Sequence, residues 1–234
     1  MSTLDALILS CDNDEYLDAL LQDFTRQIEM PHALIIIDNG DVGSLAIINK
    51  YNNILPIKYM PQDRNIGVNA GWMLGIWTSK ANIISILNDD IRIPPDFFKK
   101  IKAIFEENLQ IGYVIPLTVP TLAEVPTEPN ADSDREPCER EGWAFTIRRD
   151  ICLKGGPIPE DVLTFYGDDH LYNECKKQEY EAIKEKSIRI FHHFSPTVNR
   201  LGVLNNMGSD LKKYNAWHNG SRDNYEEEWH KRFG

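Results

Sequence analysis

"SILNDDIRIPPDFF", residues 85–98, decides how the chain is read. An apolar run stops at Asn88, Asp89 and Asp90, and Pro94 and Pro95 then open a helical segment, where proline's fixed φ is tolerated. Three adjacent oxygen-bearing side chains at a strand end either solvate a turn or hold a cation. The surrounding sequence has to choose between the two.

Working outward, short β-like runs alternate with amphipathic helical ones. "LDALILS" (4–10), "ALIIID" (33–38), "PIKYM" (56–60) and "NIISIL" (82–87) read as strands. Residues 14–28 read as a helix, with Leu17, Leu20, Leu21, Phe24 and Ile28 at helical spacing, as do 44–51, 68–79 and the segment from Pro94 to about Asn108. This alternation predicts an α/β fold with a mostly parallel sheet and helices on both faces. Ligands of such sheets bind beyond the carboxyl ends of the strands. Polar groups stand at each of those ends: Ser10, Cys11 and Asp12; Asp38 and Asn39; Asp63 to Gly67; and Asn88 to Asp90. Helix capping explains any one of these clusters, but less well all four.

The 234 residues, 42% of them hydrophobic, suffice for one large domain with a substantial core. A net charge of -11 disfavours non-specific wrapping of nucleic acid. From Lys184 onward nine Lys or Arg face six Asp or Glu, a net of +3, so the remainder carries -14. Cys11, Cys138, Cys152 and Cys175 form no C-x-x-C pair, and no signal-like leader or membrane-length apolar run is visible, which predicts a cytoplasmic protein.

Residues 118–142 hold four prolines and seven acidic residues without periodicity and read as a long loop. "GWAFTIRRD" (142–150) reads as a strand leading into a turn. "VLTFYGDDHLYNECKKQ" (162–178) passes from a strand-like run through a second acidic pair into a helix, and "SIRIF" (187–191) reads as a last strand ending at His192 and His193.

Six segments, in order, carry a family likeness: "LILSCDNDEYLDALLQDF", "IIIDNGD", "DRNIGVNAGWMLGI", "ILNDDI", "GWAFTIRRD" and "FYGDDHL". Through them residues 4–194 resemble family 2 glycosyltransferases of the GT-A fold, which move a sugar from a nucleotide sugar to an acceptor hydroxyl. The resemblance implies a GT-A catalytic domain over 1–198. Its nucleotide-sugar half is 1–115, a flexible acidic loop spans 116–141, the acceptor and catalytic half is 142–198, and 199–234 is a polar aromatic extension.

The same resemblance implies roles. A divalent cation, Mn2+ or Mg2+, would bridge carboxylates to the donor diphosphate, with Asp90 as the direct ligand and Asn88 where the family pattern more often has Asp. His192 or His193 stands where some members complete the metal shell, which tilts preference toward manganese. Ser10, Asp12, Asp38, Arg64, Asn65, Gly67, Asn88 and Asp89 are the implied donor contacts, with Gly67 and Gly71 permitting close backbone approach. Trp143 is the implied acceptor-side stacking residue. For transfer with inversion a carboxylate takes the acceptor proton. Asp169 is the first choice and Asp168 the alternative.

A glycan is the family's common acceptor. The tail residues Lys212, Lys213, Tyr214, Trp217, Arg222, Trp229, Lys231 and Arg232 suit sugar rings, and also nucleic-acid bases and phosphates, which keeps a modified DNA base as an alternative acceptor. A non-catalytic nucleotide-sugar or glycan-binding module is the rival class. The joint presence of Asp90 and Asp169 favours an enzyme over it. A nucleotidyltransferase would need a glycine-rich basic loop where "SCDNDEY" stands, and no G-x-G-x-x-G follows a strand.

Overall fold

The computed structural model describes residues 2–40, 43–130, 132–159, 161–194 and 207–219. In chain order the elements are β1 (Leu4–Ser10), α1 (Asp14–Phe24), β2 (Leu34–Asp38), α2 (Leu45–Tyr51), β3 (Ile57–Pro61), α3 (Val68–Thr78), β4 (Ile83–Asn88), β5 (Ile91–Arg92), α4 (Phe97–Glu107), β6 (Ile111–Val119), β7 (Arg135–Pro137), β8 (Ala144–Arg148), α5 (Arg149–Gly155), α6 (Gly167–Lys177), β9 (Glu181–His192) and α7 (Met207–Asn219).

One sheet runs β3-β2-β1-β4-β8-β6-β9-β5, with β7 on β9. The half β3-β2-β1-β4 is wholly parallel; β1, β2 and β4 are apolar runs buried on both faces, and the edge strand β3 is partly exposed. Beyond β4 the sheet is mixed: β8 is antiparallel to β4 and β6, β9 is parallel to β6, and β5 and β7 are antiparallel to β9. Strand alternation sends Ala6 and Ile8 to the face covered by Leu17, Leu21 and Phe24 of α1 and Phe98, Ile101 and Phe105 of α4. Leu7, Ile35 and Ile37 go to the opposite face, under Trp72, Met73 and Ile76 of α3 and Leu171 and Cys175 of α6.

Several boundaries differ from expectation for identifiable reasons. Helix α1 ends at Phe24 rather than Ile28, because the Ile28 N–H turns to the Pro95 carbonyl (2.9 Å). β6 was not anticipated. Pro116 interrupts its apolar pattern, and the ladder to β9 shifts register between Pro116 and Leu117. β9 begins six residues before the expected start at Ser187. The run 162–166 is not a strand, since its backbone groups are taken up elsewhere. Thr164 and Phe165 donate to Asp210 Oδ2 (2.9 and 3.2 Å), and the Val162 and Phe165 carbonyls accept from Asn69 Nδ2 (2.7 and 3.0 Å).

The acidic loop, expected to be flexible, carries β7 and is pinned to the sheet. The buried Glu185 carboxylate accepts from the N–H groups of Asp134 (2.8 Å) and Ser187 (3.1 Å), from the Ser133 hydroxyl (2.9 Å) and from Arg135 Nε (2.9 Å). Burial alone would raise its pKa, but these donors outweigh it and hold the group at about 2. A carboxylate depressed on folding stabilises fully above its unfolded value and loses that contribution as pH falls toward the folded one. Glu185→Gln is therefore expected to cost roughly 2–3 kcal/mol near neutral pH. The gap to the wild type should close between about pH 4.5 and pH 2, as read by denaturant unfolding across that range.

Candidate active site

The strand register gathers the expected residues along one rim. Ser10 lies opposite Asp38, Leu9 opposite Asn88, Leu87 opposite Ala144, Val119 opposite Phe191, and Ile91 opposite His192. The carboxyl ends of β1, β2, β4, β6 and β9 thus meet the start of β8. The N-terminus of α6 joins them: a Cβ on Gly142 would lie 3.1 Å from Asp168 Oδ2.

Within the acidic trio the three side chains divide their work. Asp89 turns inward, accepting from Ser10 Oγ (2.8 Å) and Asn13 Nδ2 (3.2 Å). Burial and the neighbouring Asp90 push its pKa up to about 7, against the pull of Ser10, Asn13 and the Cys11 N–H. Ser10 is fully buried in this contact, which clamps the β1 loop onto the end of β4. Asn88 is half-buried at the rim, with its N–H on the Trp143 carbonyl (2.9 Å). Asp90 lies beside His192, with Nε2 3.2 Å from Asp90 Oδ1.

That pair bears on the cation. Both side chains are 3% exposed, and neither ring nitrogen of His192 is aligned for a hydrogen bond. Two ligands of one octahedral cation, each about 2.1 Å from it, stand about 3 Å apart. The Asp90–His192 spacing and the oxygen and imidazole chemistry fit a manganese-type ion. Among the described residues no group of three or more His, Cys, Asp or Glu side chains forms such a cluster. His193 is exposed and packs on Tyr16 (4.8 Å), although its N–H holds the Asp90 carbonyl (3.0 Å). Of the two histidines it is His192 that faces Asp90.

Trp143, the expected acceptor-side stacking residue, stacks on the His192 ring (5.2 Å, 13°) and donates Nε1–H to Thr118 Oγ1 (2.8 Å). It fixes the imidazole's plane. The Asp38 carboxylate is closed into its own loop, accepting from the N–H groups of Gly40 and Ser44 and from the Tyr59 hydroxyl. Asp12 takes a left-handed φ of 51° against Gly40, where a Cβ would meet Asp12 Oδ1 at 2.3 Å.

Arg64 and Asn65 are exposed at the rim. Asn65 is held by Asn39, whose amide donates to Asn65 Oδ1 (2.9 Å) and to the Gly67 carbonyl (3.2 Å) and accepts from the Ile66 N–H (2.8 Å). Asn39 stood at a strand end in the sequence, but nothing there distinguished it as the residue organising 65–67. Gly67 and Gly71 each lie close against the protein's own atoms. A Cβ on Gly71 would meet Leu9 Cδ1 at 2.5 Å, and one on Gly67 the Leu163 carbonyl at 2.7 Å. With a φ of +87° as well, Gly67→Ala is expected to destabilise by about 2–4 kcal/mol. Chemical denaturation would read the loss.

Asp168 and Asp169 open α6 and are about four-fifths buried. Arg140 Nε lies 2.7 Å from Asp169 Oδ1 and 3.7 Å from Asp168 Oδ2. Burial and then Asp169 push the Asp168 pKa up, and Arg140 opposes them. Tyr166, before the helix, is left-handed (φ 69°) and stacks on Tyr214 of α7 (5.4 Å), while His170 meets Trp217 (4.6 Å). Helix α7 thus buttresses α6. Lys213 donates to the Asp161 carbonyl (2.6 Å) and Lys212 is exposed. Arg222, Trp229, Lys231 and Arg232 lie outside the described residues. Arg140, Asn69 and Asp210 carried no signal in the sequence; each acts across more than twenty residues of chain.

The model of the family described as glycosyl transferase family 2 matches residues 6–148, more than half of the chain. The match spans the rim from Ser10 to Trp143 and stops before Asp168 and His192. No curated protein matches the sequence. Among solved structures, S. aureus TarS (residues 1–349) is similar with a TM-score of 0.65 at 14% identity, over 81% of this chain and 60% of that one. GalNAc-T7 with UDP, GalNAc and Mn2+ gives 0.63 at 12%, over 82% and 44%. The mannosyltransferase PcManGT from Pyrobaculum calidifontis, in complex with GDP-Man and Mn2+, gives 0.63 at 11%, over 84% and 58%. These likenesses show a GT-A fold. The chain spans between 44% and 60% of the length of these structures.

Proposed function

The chain belongs to glycosyl transferase family 2, and on that premise we propose that it moves a sugar from a nucleotide sugar to an acceptor hydroxyl, with inversion at the anomeric carbon. The observation that carries this reading is the pairing, on one rim, of the Asp90–His192 couple with the acidic start of α6. A binding module has use for the first and none for the second.

A divalent cation, manganese before magnesium, would be held by Asp90 and His192, with Asn88 beside them, and would supply neutralisation of the donor's diphosphate charge. Arg64 and Asn65 reach the donor from the loop ahead of α3. Asp12 and Asp38 shape the β1 and β2 loops on the nucleoside side. Asp169 accepts the acceptor hydroxyl's proton as that oxygen attacks opposite the leaving diphosphate, and Asp168 is the alternative base. The donor half is residues 1–115 and the acceptor half 142–198, and α7 packs against α6.

A glycan is the proposed acceptor. The net charge of -11 weighs against a nucleic-acid one. A reducing, cytoplasmic setting accompanies the proposal, in keeping with four cysteines that form no C-x-x-C pair. Among the described residues no helix is long and apolar enough to cross a membrane. The reading is tested by incubating the protein with UDP, GDP, dTDP and CMP sugars, a glycan panel and Mn2+, following nucleotide release and the anomer formed. Release from one donor with an inverted product supports it. A retained anomer removes the base assigned to Asp169.

A further inference from the structure

Arg140 stands on a segment that is held on both sides. The Cys138 N–H donates to the Ala182 carbonyl (3.2 Å), and Tyr172 donates its hydroxyl to the Cys138 carbonyl (3.1 Å). On the other side, the buried Tyr113 donates its hydroxyl to the Glu141 carbonyl (3.0 Å), and Lys184 pairs with the Glu141 carboxylate (3.4 Å). Strands β6 and β9 and helix α6 therefore fix the backbone from which the guanidinium reaches the acidic pair. Among the described residues Asp168 and Asp169 are its only ion-pair partners. A surface arginine with no task would not have its flanks anchored by a buried tyrosine hydroxyl.

We propose that Arg140 is a positioning residue for transfer: it holds one oxygen of Asp169 and spans to Asp168, so that the pair stays anionic and aimed at the acceptor. The inference rests on the transferase reading above. Two neighbouring carboxylates oppose each other's ionisation, and a cation between them counters that opposition. The other charged or titratable groups around them are Tyr113 of β6 and Tyr214 of α7, which face the carboxylates, and Glu139, on the same segment, and Tyr172 of α6, which face Arg140. None of these is a cation, so among the described residues no neighbour replaces Arg140.

The test compares wild type, Arg140→Gln and Arg140→Lys in the full chain. It follows the pH profile of transfer and the carbon-13 titration of the Asp168 and Asp169 carboxyls by NMR. In Arg140→Gln the acidic limb should move up by about one pH unit, so that turnover falls by up to about tenfold at pH values below the wild-type limb and recovers above the shifted one. The donor KM should not change, and Arg140→Lys should keep most of the wild-type profile. The carboxyl titrations should move up with the limb. A loss equal at every pH, or titrations that do not move, overturns the proposal. Titrations that move in a protein turning over no donor support Arg140's assignment and count against the transferase reading instead.

Discussion

Asp169→Asn is expected to lower kcat by about 10³-fold while leaving the donor KM within about threefold of wild type. The amide is isosteric, so α6 and its contacts survive, but it cannot take a proton from the attacking hydroxyl. Asp169 stands at the start of α6, whereas the proposal gives the donor diphosphate to Asp90 at the end of β4, and this separates the effect on turnover from the effect on binding. Asp168→Asn should cost less, since Arg140 lies 2.7 Å from Asp169 and 3.7 Å from Asp168. Steady-state kinetics of the two variants decide the assignment. If Asp168→Asn suffers the larger loss, the two residues exchange roles, and unchanged turnover in both removes the acidic pair from the chemistry.

The second large effect belongs to the other end of the rim. Asp90→Asn replaces a buried anion beside His192 with a neutral amide, removing the charge that opposes a divalent cation. Donor affinity in Mn2+ should fall by about 100-fold, roughly 2.7 kcal/mol, and donor binding in chelator should be unaffected. His192→Ala should weaken it by about tenfold, whereas the exposed His193, replaced by Ala, should leave it unchanged. Calorimetric titration with donor, with and without Mn2+, reads all three. Equal losses at His192 and His193 would contradict the assignment of the buried ring.

The parallel half of the fold was legible because its strands are continuous apolar runs, each closed by a polar turn, and its helices carry clean stripes. The mixed half was less so. β6 contains Gly112 and Pro116, which spoil a strand pattern, and it survives because Gly112 fits against Tyr180 and Ile151 and because the ladder absorbs the proline with a register shift. Residues 162–166 look like a strand because their side chains are apolar, but their hydrogen bonds go to Asn69 and Asp210, 46 residues on in the second case.

At the site, the sequence singled out residue types at strand ends but not the direction in which each side chain points. Ser10, Asp89 and Asp38 turn inward to hold loops, and Trp143 packs on His192. Arg140 sits in a loop without periodicity, and only the folded chain brings it to Asp169.

The central claim, a nucleotide-sugar site that depends on Asp90 and His192, is tested most directly by the thermal midpoint of the protein with each nucleotide sugar, in Mn2+ and in chelator. A donor at ~100 times its dissociation constant adds roughly 2.7 kcal/mol, a rise of about 5–10 °C for a chain of this size. The account predicts such a rise for one nucleotide in Mn2+, its disappearance in chelator, and its absence in Asp90→Asn. A rise that persists in chelator, or in Asp90→Asn, would contradict it.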